Sequence, residues 1–220
     1  MKARFTSSSV DRFRYLVVEG PIGAGKTSLA KRLAARLSAD LLLEQPGENP
    51  FIARFYQDMA RYALPTQLFF LFQRAGMIEP LRQPDMFARP AVADFLLDKD
   101  LLFARVTLSG DEFALYQKIY DALRPQAPAP DLVIYLQAQP AVLVERVKRR
   151  AAAFERAGIS QEYLEILAES YARFFHHYAG APVLTVNSEN LNFVERDADF
   201  ELLVSRVRGM KSRREFFNLG

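Results

Sequence analysis

The sequence predicts an α/β fold, an open and doubly wound parallel sheet of five strands flanked by helices. Three observations lead there. Five short apolar runs are separated by stretches with helical spacing. A glycine-rich turn joins the first of these runs to the first helix. The 220 residues are half hydrophobic and a quarter charged, enough for one ordinary domain whose core needs no staples. Strands that alternate with helices need crossovers, and crossovers impose parallel pairing.

The elements follow in order. Tyr15-Leu16-Val17-Val18-Glu19 is an apolar run closed by Gly20 and reads as a buried strand. Ser28 to Leu37 is a helix. Leu41-Leu42-Leu43 is the second strand. Asn49 and Pro50 start a helix with apolar Phe51, Ile52, Phe55 and Met59, and Pro65 opens another that runs to about Ile78. Ala91 to Phe95 is the third strand and Asp111 to Leu123 a helix. Three prolines between Pro125 and Pro130 make a connection before the fourth strand, Asp131 to Leu136. Pro140 begins a helix that continues to about Phe154. Ser160 to Tyr178 is helical, with Leu164, Leu167, Tyr171 and Phe174 at helical spacing. Val183 to Val186 is the fifth strand and Asp199 to Val207 the last helix. No repeat or linker divides the chain, so residues 1–220 are expected to form a single domain, with flexible tails at 1–12 and 211–220.

Composition excludes several classes of function. The chain has no cysteine, hence no disulfide, thiolate metal site or thiol nucleophile. A cytoplasmic location is compatible with that. The charge, 29 basic minus 26 acidic residues, is +3 and spread along the chain, which does not suggest a nucleic-acid partner. The basic stretch Lys211-Ser212-Arg213-Arg214 reads as a solvated terminus. No run of 18 apolar residues is present, so no membrane partner is expected. The segment Met1 to Arg14 lacks the apolar run of a secretion signal.

Chemistry enters at Gly20-Pro21-Ile22-Gly23-Ala24-Gly25-Lys26-Thr27, which fits G-x-x-x-x-G-K-[ST]. Gly20, Gly23 and Gly25 let the loop wrap so that its N–H groups face phosphate oxygens. The following helix adds its positive N-terminal end. Lys26 is placed for the β- and γ-phosphates and Thr27 for Mg²⁺, while Ala24 and Ser28 complete the nucleotide-binding set. The alternative, a glycine turn with a surface lysine, does not account for a strand before and a helix after. The fold is therefore of the P-loop NTPase type, and size favours a kinase acting on a small acceptor.

In doubly wound sheets, ligands bind outside the carboxyl ends of the strands. Glu19, Glu44, Asp94 and Gln137 fall there. Glu44 can face a γ-phosphate across the cleft and accept a hydroxyl proton, or it can be a solvated turn residue. Gln67 and Arg74 are seven apart and share a helix face. A glutamine amide can bond a base edge at two points; the plainer alternative is a half-exposed polar face. Most of Phe51, Phe55, Phe69, Phe70 and Phe72 read as core. His176-His177 point different ways on a helix and do not make a metal pair.

These residues resemble the deoxynucleoside kinase family over nearly the whole chain. The likeness runs through the phosphate loop, Glu44, Asn49-Pro50-Phe51, Phe55-Tyr56, Pro65-Thr66-Gln67, Asp94 to Asp100, Phe103-Ala104 and a helical lid over 146–158. It implies that Glu44 is the general base for the 5′-hydroxyl of a deoxyribonucleoside. It implies that Tyr56 and Glu155 hold the sugar 3′-hydroxyl and that Gln67 reads the base. Arg74 and Asp100 match an Arg–Asp pair found in members that prefer purines or deoxycytidine. Asp94 matches the first residue of an acidic-Arg-Ser motif near Mg²⁺. ATP and Mg²⁺ are the implied cofactors, and a homodimer packed through helices is the implied assembly, with nucleotide salvage as its setting.

Two positions depart from the pattern. The Arg-Ser of that motif is Phe95-Leu96 here, and Lys99, four residues on, is the candidate replacement. Of two lid arginines separated by one residue, one is replaced by Ala152, which leaves Arg149 and Arg150 as catalytic candidates beside Arg146 and Lys148. Some of these four are expected on a solvated helix face. Two other readings stay open. One is a kinase of nucleoside monophosphates, with Arg54, Arg61 and Arg74 for the extra phosphate. The other is a nucleotide-binding scaffold without catalysis.

Overall fold

The computed structural model describes residues 13–82, 89–124, 128–150 and 159–218, with the backbone alone at Arg150. Its strands are β1 (Tyr15–Glu19), β2 (Asp40–Leu42), β3 (Ala91–Ala93), β4 (Leu132–Gln137), β5 (Val183–Asn187) and β6 (Arg214–Phe217). The main helices are α1 (Lys26–Leu37), α2 (Ile52–Gln57), α3 (Met59–Ile78), α4 (Asp100–Thr107), α5 (Gly110–Leu123), α6 (Pro140–Arg150), α7 (Gln161–His177) and α8 (Asp197–Gly209). The strands form one sheet in the order β2-β3-β1-β4-β5-β6, parallel throughout.

Both faces of the sheet are covered, which is why its central strands read as unbroken apolar runs. Alternate residues of β1 go to opposite sides. Tyr15 and Val17 join a cluster with α2, α3, α4, α5 and α7. Leu16 and Val18 join one with α1, α6 and α8. Each fully buried aliphatic side chain contributes about 1.5–3 kcal/mol. Tyr135 of β4 stacks on Phe175 of α7 at 4.1 Å between ring centroids, which fixes α7 against the sheet.

Three expectations are corrected here. The sheet has six strands, not five, because Arg214–Phe217 pairs with β5 in the register Val183↔Arg214 to Val186↔Phe217. The expected tail 211–220 therefore contains a strand. Its two charged residues, Arg214 and Glu215, suit an edge, and the basic character of 211–214 concealed it. Pro65 does not open a helix; α3 begins at Met59, where Asp58 accepts a hydrogen bond from the Arg61 N–H at 3.2 Å. Proline inside a helix costs one backbone bond, and burial of Ala63, Thr66, Gln67, Phe70 and Leu71 on this one helix outweighs it. Finally, α4 has no counterpart among the helices read from the sequence. The lid region is described only as far as Arg150, the end of α6.

Candidate active site

The phosphate loop takes its shape from close contacts with β4 and α6. A Cβ on Gly20 would stand 2.4 Å from the carbonyl oxygen of Leu136. Gly23 has φ +87°, and a Cβ there would meet the Leu143 carbonyl at 2.9 Å. Only glycine fits either position. Lys26 curls back over the loop, donating from Nζ to the carbonyls of Gly20 (2.8 Å) and Pro21 (3.3 Å). Burial and the neighbouring Lys99 ammonium both lower its pKa.

Asp94, just beyond β3, ties the loop to the opposite wall. Its Oδ2 accepts from the Thr27 hydroxyl at 2.6 Å and its Oδ1 from the Glu44 N–H at 2.8 Å. Burial raises the pKa of Asp94, with the Thr27 hydrogen bond acting against it. Glu44 lies two residues past β2 and is partly exposed. Arg74 of α3 donates from Nε to Glu44 Oε1 at 2.6 Å and also reaches it through Nη2. Arg74 Nη1 bonds Asp100 Oδ1. Burial pushes the Glu44 pKa up, but Arg74, Lys99 and Lys26 together outweigh that and hold it at about 2. For Asp100, fully buried behind Arg74, burial wins and the pKa is pushed up to about 6.

A cleft of about 400 Å³ opens between these walls. Gly23, Gly25, Lys26 and Thr27 line one side, and Glu44, Asp94 and Arg74 the other. Tyr56 and Gln67 complete its inner end among Phe55, Phe70, Phe103 and Tyr163. The Gln67 amide reaches the Thr107 hydroxyl at 3.5 Å. The mixture of apolar walls and a few convergent polar groups suits a small aromatic ligand with a polar edge.

Other expected residues lie apart. Ala24 is buried within the loop, and it and Ser28 line a second hollow on the loop's outer side, together with Arg146 and Arg149. Arg149 is exposed and bonds Glu145 at 2.7 Å, one helical turn back. Arg146 donates to Ser188, and Lys148 is exposed. Gln137 is exposed at the end of β4, away from the cleft. The Arg150 side chain and Glu155 lie outside the described residues. His176 and His177 sit on the exposed side of α7. Among the described residues, no group of three or more His, Cys, Asp or Glu could hold a metal.

Glu19, at the end of β1, does structural work. It is fully buried. Its Oε1 accepts from the Gly20 N–H (2.8 Å) and the Tyr171 hydroxyl (3.0 Å), and its Oε2 from the Leu96 N–H (2.7 Å). A carboxylate at the end of an otherwise apolar strand was the available signal, since a buried charge demands partners.

The chain is similar to known proteins over most of its length. The sequence model of a family described as deoxynucleoside kinase matches residues 16–211. The chain is 32% identical over 201 residues to the deoxyguanosine kinase of Bacillus subtilis (strain 168), covering 88% of this chain and 96% of that one. It is 28% identical over 192 residues to a deoxyadenosine kinase of Lactobacillus acidophilus, covering 81% and 87%. Among solved structures, a deoxyadenosine kinase from M. mycoides with bound dATP superposes with a TM-score of 0.75 at 21% identity, covering 88% of this chain and 98% of that one. That last likeness concerns the fold. Among the described residues, no helix is long and apolar enough to cross a membrane.

Proposed function

The chain belongs to the deoxynucleoside kinase family, and on that premise we propose that it carries the γ-phosphoryl group of ATP to the 5′-hydroxyl of a purine deoxyribonucleoside, with deoxycytidine as a further acceptor. One observation carries this reading: a single cleft holds the phosphate loop on one side and Glu44 on the other, both bonded to Asp94.

In this reading the triphosphate lies on the loop, with Lys26 and the N–H groups of Gly23, Ala24, Gly25 and Ser28 around its phosphates. The 5′-hydroxyl gives its proton to Glu44. The freed oxygen forms a bond to the γ-phosphorus in line as the bond to the β,γ-bridging oxygen breaks and ADP departs. Glu44 is a weak base at a pKa of about 2. That suffices, because the loose transition state of phosphoryl transfer asks the base chiefly to orient the nucleophile. Arg149 and Arg150 are the lid cations that approach the donor phosphates, and Glu155 with Tyr56 holds the 3′-hydroxyl. Gln67 and Arg74, backed by Asp100, meet the base edge. The relatives named for deoxyguanosine and deoxyadenosine favour a purine.

The residues suit Mg²⁺. The Thr27 hydroxyl and an Asp94 carboxylate oxygen converge at 2.6 Å beside the loop, and a hard cation that keeps waters and phosphate oxygens needs only one or two such protein ligands. Bound there, it would neutralise phosphate charge. Exposed Phe72 on α3 and Leu115 on α5, 56% and 50% accessible, support a homodimer packed through these helices. We place the reaction in cytoplasmic salvage of deoxynucleosides. The monophosphate-kinase reading has lost its support: Arg54 and Arg61 stand at the surface near Phe51 and Tyr62, and Arg74 is paired to two carboxylates. Membership of a kinase family likewise displaces the reading as a scaffold.

The test is phosphate transfer from Mg²⁺-ATP to the four deoxynucleosides and to their monophosphates. Selective turnover of deoxyguanosine or deoxyadenosine is expected. Better turnover of thymidine, or of any monophosphate, would overturn the substrate assignment.

A further inference from the structure

Lys99 stands in the short turn Leu97–Lys99 that leads into α4, and among the described residues it is the one lysine with its side chain buried. Its Nζ lies 3.3 Å from Glu19 Oε2 and 3.6 Å from Glu44 Oε1. The Phe103 ring lies 5.6 Å from the ammonium. The residue lines the cleft on the Glu44 side.

An ammonium in such a place is costly unless it serves a purpose. Pairing with Glu19 is one part of that purpose: the ammonium balances the buried carboxylate through Oε2, which also accepts the Leu96 N–H, while Oε1 takes the Gly20 N–H and the Tyr171 hydroxyl. The other part is at Glu44. Arg74 and Lys99 both address the same oxygen, Oε1, and Arg74 is shared with Asp100. Phe95 is wholly buried in the core and can supply no charge to the cleft.

We propose that Lys99 is a positioning residue for phosphoryl transfer: together with Arg74 it anchors Glu44 through Oε1, so that Oε2 is presented to the acceptor hydroxyl. The charge order Glu19, Lys99, Glu44, Arg74, Asp100 then runs unbroken from the strand beneath the phosphate loop to the wall beneath Gln67. Lys99 reaches the Glu44 side from the start of a helix, not from a strand end. The inference rests on the kinase reading given above. It adds that the orientation of the base depends on a lysine outside the phosphate-loop motif.

The test compares Lys99→Met and Lys99→Arg with the unaltered chain, using the best deoxynucleoside and Mg²⁺-ATP, with a thermal melt of each protein. The expected result for Lys99→Met is a fall in kcat of about 100-fold with nucleoside KM changed less than about 3-fold, because an interaction that matters only in the transition state is removed. Lys99→Arg should recover kcat to within about 10-fold of the unaltered chain. A Lys99→Met enzyme with kcat within 3-fold of the parent overturns the proposal. So does a pair of variants equally impaired in KM and kcat, the mark of a merely structural ion pair. If Lys99→Met does not melt cooperatively, Lys99→Gln takes its place under the same two criteria, with Lys99→Arg again as the rescue. Turnover by the unaltered chain, read in the same assay, tests the kinase reading separately.

Discussion

Arg74 bonds Glu44 through Nε at 2.6 Å, so the proposed base is held by the same guanidinium that pairs with Asp100. The carboxylate proposed to take the acceptor's proton and the cation proposed to meet its base are thereby parts of one ion-pair chain. Arg74→Gln should therefore impair both recognition and turnover. We expect a fall in kcat/KM of about 10²–10³, corresponding to about 3–4 kcal/mol for loss of a buried charge partner. The ratio of purine to thymidine turnover should fall as well. Steady-state kinetics on two nucleosides measure both effects, and a uniform loss across bases would refute the link.

Glu44→Gln keeps the size of the side chain and removes its basicity. Nucleoside binding should stay within a few-fold, while kcat falls by about 10²–10⁴, the usual weight of general-base help. Titration calorimetry and initial rates separate the two. Unchanged turnover would remove Glu44 from the chemistry.

Stability should depend on pH in two opposed ways. Glu44 is held at about 2, so its contribution is complete above its unfolded value near 4.5 and is lost as pH falls towards 2. Asp100 is raised to about 6, so the folded state is favoured as pH falls from about 6 to about 4, where Asp100 takes up a proton before the unfolded chain does. The melting temperature should therefore rise slightly from pH 7 to 5 and then drop. In Asp100→Asn the slight rise should vanish, and in Glu44→Gln the drop should shrink. Calorimetric scans at half-unit intervals check both.

Asp94→Asn retains the shape of the contacts to Thr27 and Glu44 but weakens the charge offered to a cation. The Mg²⁺ concentration for half-maximal rate should rise about 10-fold or more, and chelation with EDTA should abolish transfer by the parent enzyme. An unchanged Mg²⁺ requirement would place the ion elsewhere.

Gly23→Ala puts a Cβ against the Leu143 carbonyl in a backbone conformation that side chains rarely adopt. ATP affinity should fall at least about 10-fold with little change in nucleoside affinity. Fluorescent nucleotide binding reads this directly.

The parts of the fold that could be read early were those with one dominant local signal. β1, β4 and β5 are apolar runs between turns, and the phosphate loop is a motif whose spacing has a mechanical reason. Pro65 misled because a local rule about helix starts was overridden by the burial of Gln67, Phe70 and Leu71 on the same helix. The strand at Arg214–Phe217 was concealed because an edge strand carries charge where a central one does not. In the cleft, residue types suggested Glu44, Gln67 and Arg74, but not which pairs with which. The reach of Lys99 to Glu44 depends on a turn and a helix start that have no period in the sequence. The joint hold of Asp94 on Thr27 and Glu44 depends on β2, β3 and β1 lying side by side, and only tertiary structure expresses that.

The strand order has a kinetic corollary. β1 pairs with β3 through Tyr15↔Ala91 and with β4 through Leu16↔Leu132, so its two neighbours arrive long after it during synthesis. The phosphate loop leans on the carbonyls of Leu136 and Leu143. The motif that is earliest in the chain therefore meets its walls only once β4 and α6 have been made. A nascent chain stopped before β4 would carry every residue of the phosphate signature and still lack the walls that curl it. Contacts this distant in sequence also slow folding, which ties competence for nucleotide binding to completion of the sheet's centre.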